Sequence, residues 1–260
     1  MKTYELNHGD LPILVSMPHN GTLIPVNLQH RMTTSAKLVK DTDWYLDRLY
    51  QFTQTMGLSI IKPIYSRYVI DLNRPSDNQD LYPGQNTTEL CPTTQFDLSP
   101  IYLQGQLPSQ NEINQRVEQY WQPYHRALQH EIGRLVGEHG KCLLFEAHSI
   151  ASLVPRFFDG QLADFNFGNN KGESSSSDLM QRIENFSTTP YSCVINGRFK
   201  GGFITRNYGV PESNIDAIQL ELSQATYMHE DNLTYDQDKA ERVQKRLSEL
   251  FQLFKRYLDK

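Results

Sequence analysis

The sequence has few cysteines, no long apolar run and no excess of positive charge. Its 260 residues include three cysteines, Cys91, Cys142 and Cys193, which are far apart and form no C-x-x-C pair. Neither a cysteine-based zinc site nor a disulfide framework is therefore expected. No run of about 18 apolar residues occurs, so no membrane span is predicted. The formal net charge of −5 gives no general attraction to nucleic acid or anionic lipid. We expect neither as a partner.

Several segments that would mark other classes of protein are also missing. The first ten residues, MKTYELNHGD, are polar and lack the apolar stretch of a signal peptide. Together with the few cysteines, this favours a cytoplasmic location. No G-x-G-x-x-G, no P-loop and no G-x-S-x-G occurs, so the common nucleotide sites and a serine nucleophile elbow are not expected. The length suits one large domain, although two would also be compatible with it.

The sequence contains apolar runs that alternate with helical patterns. The runs predict strands at residues 11–17, 58–63, 67–72, 141–147, 191–196 and 216–222. The helical patterns cover residues 36–56, 112–139 and 236–258. This alternation predicts an α/β fold with a mixed, largely parallel central sheet flanked by helices. Active sites of such sheets gather at the carboxyl ends of the strands. The long polar segment 77–108 is also expected to be functional, and whether it closes over a substrate is left open.

Two histidines follow predicted strands and are candidates for metal ligands. His19 comes after the first strand and His148 after the fourth. Hydrolytic zinc commonly takes two imidazoles and one carboxylate and keeps a fourth position for water. The bound metal lowers the pKa of that water to about 7. His125, His130 and His139 lie on the long polar helix and are predicted to face solvent.

The third ligand cannot be chosen from spacing alone. A carboxypeptidase-type pattern would place Glu three residues after His19, where this chain has Thr22. Asp41, Asp43 and Asp47 stand at the start of the first predicted helix, where acidic residues also serve as caps. Glu146 shares a strand face with His148 and is interpreted as a supporting or structural residue.

Glu221 and several arginines complete the candidate site. A carboxylate within an apolar strand is costly unless it has a partner or a use, so Glu221 is either in a salt bridge or a general base. Four arginines stand beside strands or glycine-rich turns: Arg67, Arg74, Arg198 and Arg206. Guanidinium pairs bidentately with carboxylate, which favours a small-molecule substrate that carries carboxylates.

Seven segments together resemble one known family. They are LVSMPHNG (14–21), DTDW (41–44), SRYVIDLNRP (66–75), LYPGQNTTELCP (81–92), EAHS (146–149), NGRFKGGFITR (196–206) and QLELSQATYM (219–228). The set resembles the N-formylglutamate amidohydrolases, from about residue 11 to residue 228. The resemblance implies a fold like that of zinc carboxypeptidases and other phosphorylase/hydrolase-like deacylases, in a single amidohydrolase domain over residues 1–260.

The resemblance also implies roles for individual residues. His19, Asp43 and His148 become the zinc ligands, with Asp41 as the alternative carboxylate. Glu221 becomes the general base, Asn73 and Arg74 bind substrate, and Arg67, Arg198 and Arg206 are further substrate candidates. The implied reaction converts N-formyl-L-glutamate into L-glutamate and formate, a step of bacterial histidine degradation.

Three alternatives stay open at this point. The enzyme could act on a related N-acetyl, N-succinyl or N-formyl-aspartate substrate, or the chain could be a binding protein without activity. Other divalent transition metals suit the same ligands as Zn²⁺. The oligomeric state is also left open.

Overall fold

The computed structural model describes residues 1–79, 81, 84 and 86–259. Its strands are β1 (Tyr4–Asn7), β2 (Ile13–Ser16), β3 (Ser59–Pro63), β4 (Cys142–Ile150), β5 (Phe165–Gly168), β6 (Cys193–Ile195), β7 (Ile215–Ser223), β8 (Met228–His229) and β9 (Thr234–Tyr235). The first seven form one sheet in the order β1-β3-β2-β4-β7-β5-β6. Its β1–β3 and β7–β5 pairs are antiparallel and the other four are parallel. The predicted fold class, α/β with a mixed, largely parallel sheet flanked by helices, is confirmed.

Helices pack on both faces of this sheet. They are α1 (Val26–Gln29), α2 (Leu46–Leu49), α3 (Phe52–Thr55), α4 (Gln110–Arg116), α5 (Gln122–His139), α6 (Ser177–Glu184), α7 (Phe203–Tyr208) and α8 (Gln237–Leu258), with a π-helical turn at Val117–Trp121 between α4 and α5. The predicted amphipathic carboxyl-terminal helix is confirmed as α8, whose Leu247, Leu250, Phe251 and Phe254 are fully buried. In the part of the chain that the structure describes, no helix is long and apolar enough to cross a membrane.

The two faces of β4 have different surroundings. Leu143, Phe145 and Ala147 pack in the core that contains α8, whereas Leu144 packs in the core that contains α5. Because side chains alternate along a strand, the face that carries Leu144 continues with Glu146, His148 and Ile150. Polar side chains buried in this way cost free energy unless they are hydrogen-bonded. The polar end of this face is therefore where a functional site is expected.

The prediction of a strand at residues 67–72 is wrong, because this segment forms turns. The Val69 amide donates to the Ser66 carbonyl at 2.9 Å, and the Asp71 amide donates to the Leu90 carbonyl at 2.7 Å. These local and loop contacts take the place of a strand ladder. Val69 and Ile70 are nevertheless buried, which explains the strand-like apolar pattern.

The continuous helix predicted at residues 36–56 is also wrong. A 3₁₀ turn at Ala36–Leu38 is followed by α2 and α3, and Val39 and Tyr45 have φ angles of 45° and 60°, which interrupt the helix. Asp43 lies in this break, and its backbone amide donates to the carbonyl of His19 at 3.1 Å. The pattern did not predict β1, β5, α6 or α7.

The strand predicted at residues 141–147 is longer than expected. As β4 it continues to Ile150, so His148 and Ser149 lie within the strand and not after it. His148 is thereby paired in register with Glu221 on β7. The strand ladder thus brings two candidate site residues together directly.

The prediction that His125 faces solvent is wrong. The side chain is buried on α5 and stacks on Trp121 with ring centroids 3.7 Å apart. Nε2 donates to the Leu72 carbonyl at 2.9 Å, and Nδ1 accepts from the Tyr208 hydroxyl at 2.9 Å. Burial lowers the pKa of His125 to about 3. The folded chain therefore keeps this imidazole neutral.

We expect this histidine to contribute to acid sensitivity. As pH falls below about 6.5, His125 binds a proton in the unfolded chain but not in the folded chain. The free energy of unfolding therefore decreases until the pH reaches the folded pKa. His125→Gln keeps a donor for Leu72 but removes this titration. The free energy of unfolding, measured by urea denaturation between about pH 6.5 and about pH 4, should fall less steeply in the variant. His130→Gln, at an exposed position of α5, should leave the slope unchanged. Equal slopes for wild type and His125→Gln would contradict the expectation.

Candidate active site

Two imidazoles and one carboxylate form a compact buried group. His19, Asp43 and His148 each offer one ligand atom, and these atoms all lie within 4.8 Å of one another. Asp43 Oδ2 is 3.0 Å from His148 Nδ1 and 3.8 Å from His19 Nδ1. This is the donor set that a hydrolytic zinc site uses.

Local backbone contacts fix this group. His19 follows β2 in a turn where Gly21 packs so closely that a Cβ atom would lie 2.3 Å from the Tyr65 carbonyl oxygen. The side-chain Nδ2 of Asn20 donates to the Asp43 backbone carbonyl at 3.2 Å. The Ser149 backbone amide donates to Asp43 Oδ2 at 3.1 Å. The turn after β2, the turn before α2 and the end of β4 are thus joined at the candidate ligands.

Each histidine is held from behind by a second carboxylate. His19 Nε2 donates to Asp71 Oδ1 at 2.6 Å, and His148 Nε2 donates to Glu146 Oε1 at 2.7 Å. Glu146 is itself fixed, because its other oxygen accepts from the Thr205 amide at 3.1 Å. Such pairing places the proton on Nε2 and leaves a lone pair on Nδ1 for a cation. Both Nδ1 atoms face Asp43, so the residues present fit a bound metal.

The charges around the two histidines have opposite effects. Burial and the Arg67 guanidinium lower the pKa of His19. Burial also opposes a charge on His148, but Glu146 and Asp43 outweigh it and raise the pKa of this imidazole well above its usual value. A cation that binds at His148 must therefore displace a proton.

Glu221 lies beside this group on β7. It is 7% exposed, and burial, with a further contribution from the Asp43 charge, raises the pKa of its carboxyl to about 8. His148 and Arg67 act in the opposite direction. A carboxyl with a pKa near neutrality can accept and release a proton during one reaction cycle.

These residues line a cavity of about 670 Å³. Its described lining includes His19, Asp43, Arg67, Asp71, Asn73, Arg74, Leu81, Asn86, Thr87, Thr88, Phe96, His148, Ser149, Ile150, Phe157, Arg198, Phe199, Gly202, Gln219 and Glu221. Arg67 Nη2 donates to Asp71 Oδ2 at 2.6 Å, and Arg67 Nη1 is 3.3 Å from His19 Nδ1. Arg198 Nε donates to the Phe157 carbonyl at 2.6 Å. The arginines thus give the cavity positive charge next to the carboxylates.

Asn73 is oriented towards the cavity by the start of α7. Its Oδ1 accepts from the Ile204 amide at 2.9 Å, which turns Nδ2 towards His148, 3.1 Å from Nε2. Gly202 packs directly on this side chain, and a Cβ atom there would lie 2.2 Å from Asn73 Nδ2. The glycine-rich segment before α7 is therefore shaped to fit Asn73.

Most of the candidate residues from the sequence meet in this cavity. Those it brings together are His19, Arg67, Asn73, Arg74, Asp43, His148, Arg198 and Glu221. Asp41, the alternative ligand, is bonded elsewhere: its Oδ2 accepts from the Tyr68 hydroxyl at 2.7 Å and from the Phe96 amide at 2.8 Å. Arg206 is not among the described lining residues, and its Nε donates to the Gly201 carbonyl at 2.8 Å. The structure therefore does not bring Arg206 to the site.

Sequence reasoning missed several lining residues. Gln219 could have been found, because it lies two residues before Glu221 and shares its strand face. Thr87, Thr88 and Phe96 belong to the 77–108 segment that was expected to be functional, and they do line the cavity. Residues 80, 82, 83 and 85 of that segment, which include part of the 81–92 motif, lie outside the described residues.

Known proteins match this chain over nearly its whole length. Residues 11–228 match the family model described as N-formylglutamate amidohydrolase. A protein of Pseudomonas aeruginosa named N-formylglutamate deformylase is 46% identical over 247 residues, which cover 94% of this chain and 92% of that protein. A protein of Pseudomonas putida with the same name is 44% identical over 254 residues, covering 96% and 95%.

Solved structures show the same fold. A crystal structure described as N-formylglutamate amidohydrolase from Ralstonia eutropha superposes with a TM-score of 0.84 at 23% identity, covering 100% of this chain and 99% of that one. A crystal structure of a gene product from Agrobacterium tumefaciens superposes with a TM-score of 0.72 at 13% identity, covering 97% and 96%.

Proposed function

The chain belongs to the N-formylglutamate amidohydrolase family, and from this premise we propose that it hydrolyses N-formyl-L-glutamate to L-glutamate and formate. Membership makes it a hydrolytic enzyme that acts on an amide. One observation carries the proposal: the buried His19, Asp43 and His148 group stands beside Glu221 in a cavity that arginines line. A single catalytic domain over residues 1–260, a cytoplasmic location and a place in histidine degradation stay predictions from the sequence.

We propose that His19, Asp43 and His148 hold a divalent cation, with zinc as the leading candidate. The support is the donor set and the two carboxylates, Asp71 and Glu146, that orient the imidazoles. When bound, such a cation would supply Lewis acidity to the amide carbonyl and would lower the pKa of water, so that hydroxide is available as the nucleophile near neutral pH.

Glu221 carries the proton in this mechanism. Its carboxylate removes a proton from the attacking water and then delivers it to the amide nitrogen, so that the carbon–nitrogen bond breaks and glutamate leaves as the amine. Burial favours the protonated form of Glu221, which makes its carboxylate a stronger base towards the attacking water. Formate leaves from the other half of the substrate.

The substrate has two carboxylates, and the cavity has cations to receive them. Arg74 and Arg198 line the cavity, and so does Asn73, whose Nδ2 lies 3.1 Å from His148 Nε2. We assign these three residues to substrate binding. Arg67 has a different position, because its half-buried guanidinium is bonded to Asp71. Its charge lies between the carboxylates of the site, with Nη2 bonded to Asp71 and Nη1 4.0 Å from Asp43 Oδ1.

The test is release of the free amino acid by the purified, zinc-loaded protein, with formate as the second product of the formyl substrates. We expect kcat/KM for N-formyl-L-glutamate to exceed that for N-acetyl-L-glutamate, N-succinyl-L-glutamate and N-formyl-L-aspartate. Metal analysis of the same sample should find about one zinc ion per chain. No formate from N-formyl-L-glutamate would sink the proposal. No metal after reconstitution would exclude the proposed metal site.

A further inference from the structure

A second cavity lies next to the catalytic cavity. It has a volume of about 780 Å³, and three described residues line both cavities: Phe96, Ser149 and Ile150. Beyond this shared wall, its described lining includes apolar side chains such as Leu153, Val154 and Leu233 and charged side chains such as Lys40, Asp97 and Glu230. The wall therefore separates the reaction site from a second space with both apolar and charged sides.

The layout of β4 indicates which part of the substrate meets this wall. Glu146, His148 and Ile150 share one face, and each step of two residues is about 6–7 Å. Asn73 contacts His148 from the Glu146 side, because its Nδ2 is 3.1 Å from His148 Nε2. A substrate whose carboxylate binds Asn73 and Arg74 and whose amide lies at His148 points its acyl group away from them. That direction leads to Ile150.

The wall is held firmly in place. The Phe96 amide donates to Asp41 Oδ2 at 2.8 Å, and the ring packs on Phe157 with centroids 4.9 Å apart. The Arg67 guanidinium covers the same ring at 4.9 Å. Ile150 is 6% exposed and packs in a small core with Val154. Neither side chain can move aside without the loss of these contacts.

We propose that Phe96 and Ile150 set the acyl specificity of the enzyme by closing the site behind the formyl group. This inference rests on the proposed function. The formyl group ends in a hydrogen atom, and each added carbon would have to enter the space that these two side chains fill. Asp41 supports the wall through the Phe96 backbone.

The test compares kcat/KM for N-formyl-, N-acetyl- and N-butyryl-L-glutamate in wild type and in the variants Phe96→Ala and Ile150→Ala. One misplaced carbon in an apolar pocket changes specificity by about 10- to 200-fold. We expect the butyryl-to-formyl ratio of kcat/KM to rise by about tenfold or more in each variant. A ratio within one variant is independent of any general loss of activity from the Arg67 contact. Phe158→Ala is the matched control, because Phe158 packs on the same small core but is absent from the described lining of both cavities.

The outcomes separate this inference from the proposed function. Thermal unfolding and metal content identify the variants that are folded. If Phe96→Ala or Ile150→Ala fails to fold, Phe96→Leu or Ile150→Val takes its place. An unchanged butyryl-to-formyl ratio of kcat/KM in folded variants would overturn the proposal that Phe96 and Ile150 set acyl specificity. A wild type that cleaves N-butyryl-L-glutamate as well as the formyl substrate would also overturn it. An equal rise in Phe158→Ala would show general loosening and would also overturn it. Failure of the proposed function would instead appear as a wild type that releases no formate.

Discussion

Replacing Glu221 with Gln is expected to lower kcat/KM by about 10²-fold or more while the metal stays bound. Gln has nearly the same shape as Glu but cannot take a proton from water. The three ligand residues are untouched, so metal content should equal that of wild type. Formate release and metal analysis on the same preparation check both halves of the expectation. Wild-type activity in the metal-loaded variant would remove Glu221 as the base.

The pH profile gives a second readout on the same variant. The carboxylate must be ionised to accept a proton, and burial raises its pKa towards about 8. The activity of the wild type should therefore rise with pH above the usual carboxyl range of about 4.3. This limb should be missing from the residual activity of Glu221→Gln. Glu131→Gln is the control, because Glu131 is also buried but is bonded to Arg134 and Ser59 on α5 and β3.

Replacing His148 or His19 with Ala is expected to abolish stable metal binding. Each variant removes one of three ligands, and the fall in kcat/KM should be on the order of 10³-fold or more, since the Lewis acid is lost. The two measurements are the turnover rate and the amount of metal that each variant retains after dialysis. His130→Ala, at an exposed position of α5, should change neither. Full metal occupancy in both ligand variants would exclude this group as the metal site.

A milder change at the same centre tests how the ligands are oriented. Glu146→Gln keeps the ligand His148 but weakens the carboxylate that fixes its Nε2 proton. Loss of such a partner typically costs about 10- to 100-fold in metal affinity. Competition with a chelator measures this directly. Affinity equal to that of wild type would show that Glu146 has no part in orienting His148.

The histidines of the site could be predicted from sequence because their signal is local. His19 follows an apolar strand, and His148 lies near the end of another, so a parallel sheet brings them to one edge. The choice between Asp41 and Asp43 has no local signal. The two differ by their distant contacts, since Asp41 binds the Phe96 amide and Asp43 binds the Ser149 amide.

The failures have the same physical origin. Residues 67–72 look like a strand because a buried turn and a buried strand can have the same apolar pattern. Only pairing with another strand, which the local sequence does not show, distinguishes the two. The helix at 36–56 is interrupted at Val39 and Tyr45, and neither residue type prefers a positive φ. The prediction for His125 is wrong because Trp121, one helical turn earlier, and Tyr208, which is distant in sequence, cover the ring.

The order of the central strands has a consequence for how the enzyme is made. His19 follows β2, His148 lies in β4 and Glu221 lies in β7. These strands are neighbours in the sheet, although about half of the chain separates β2 from β4 and more than half separates β2 from β7. Contacts between such distant segments form slowly, because a large loop must close before they stabilise the chain. A nascent chain on the ribosome can form the histidine pair only after β4 has emerged, and it gains Glu221 later still. A fragment that stops before β7 therefore has candidate ligands but no base.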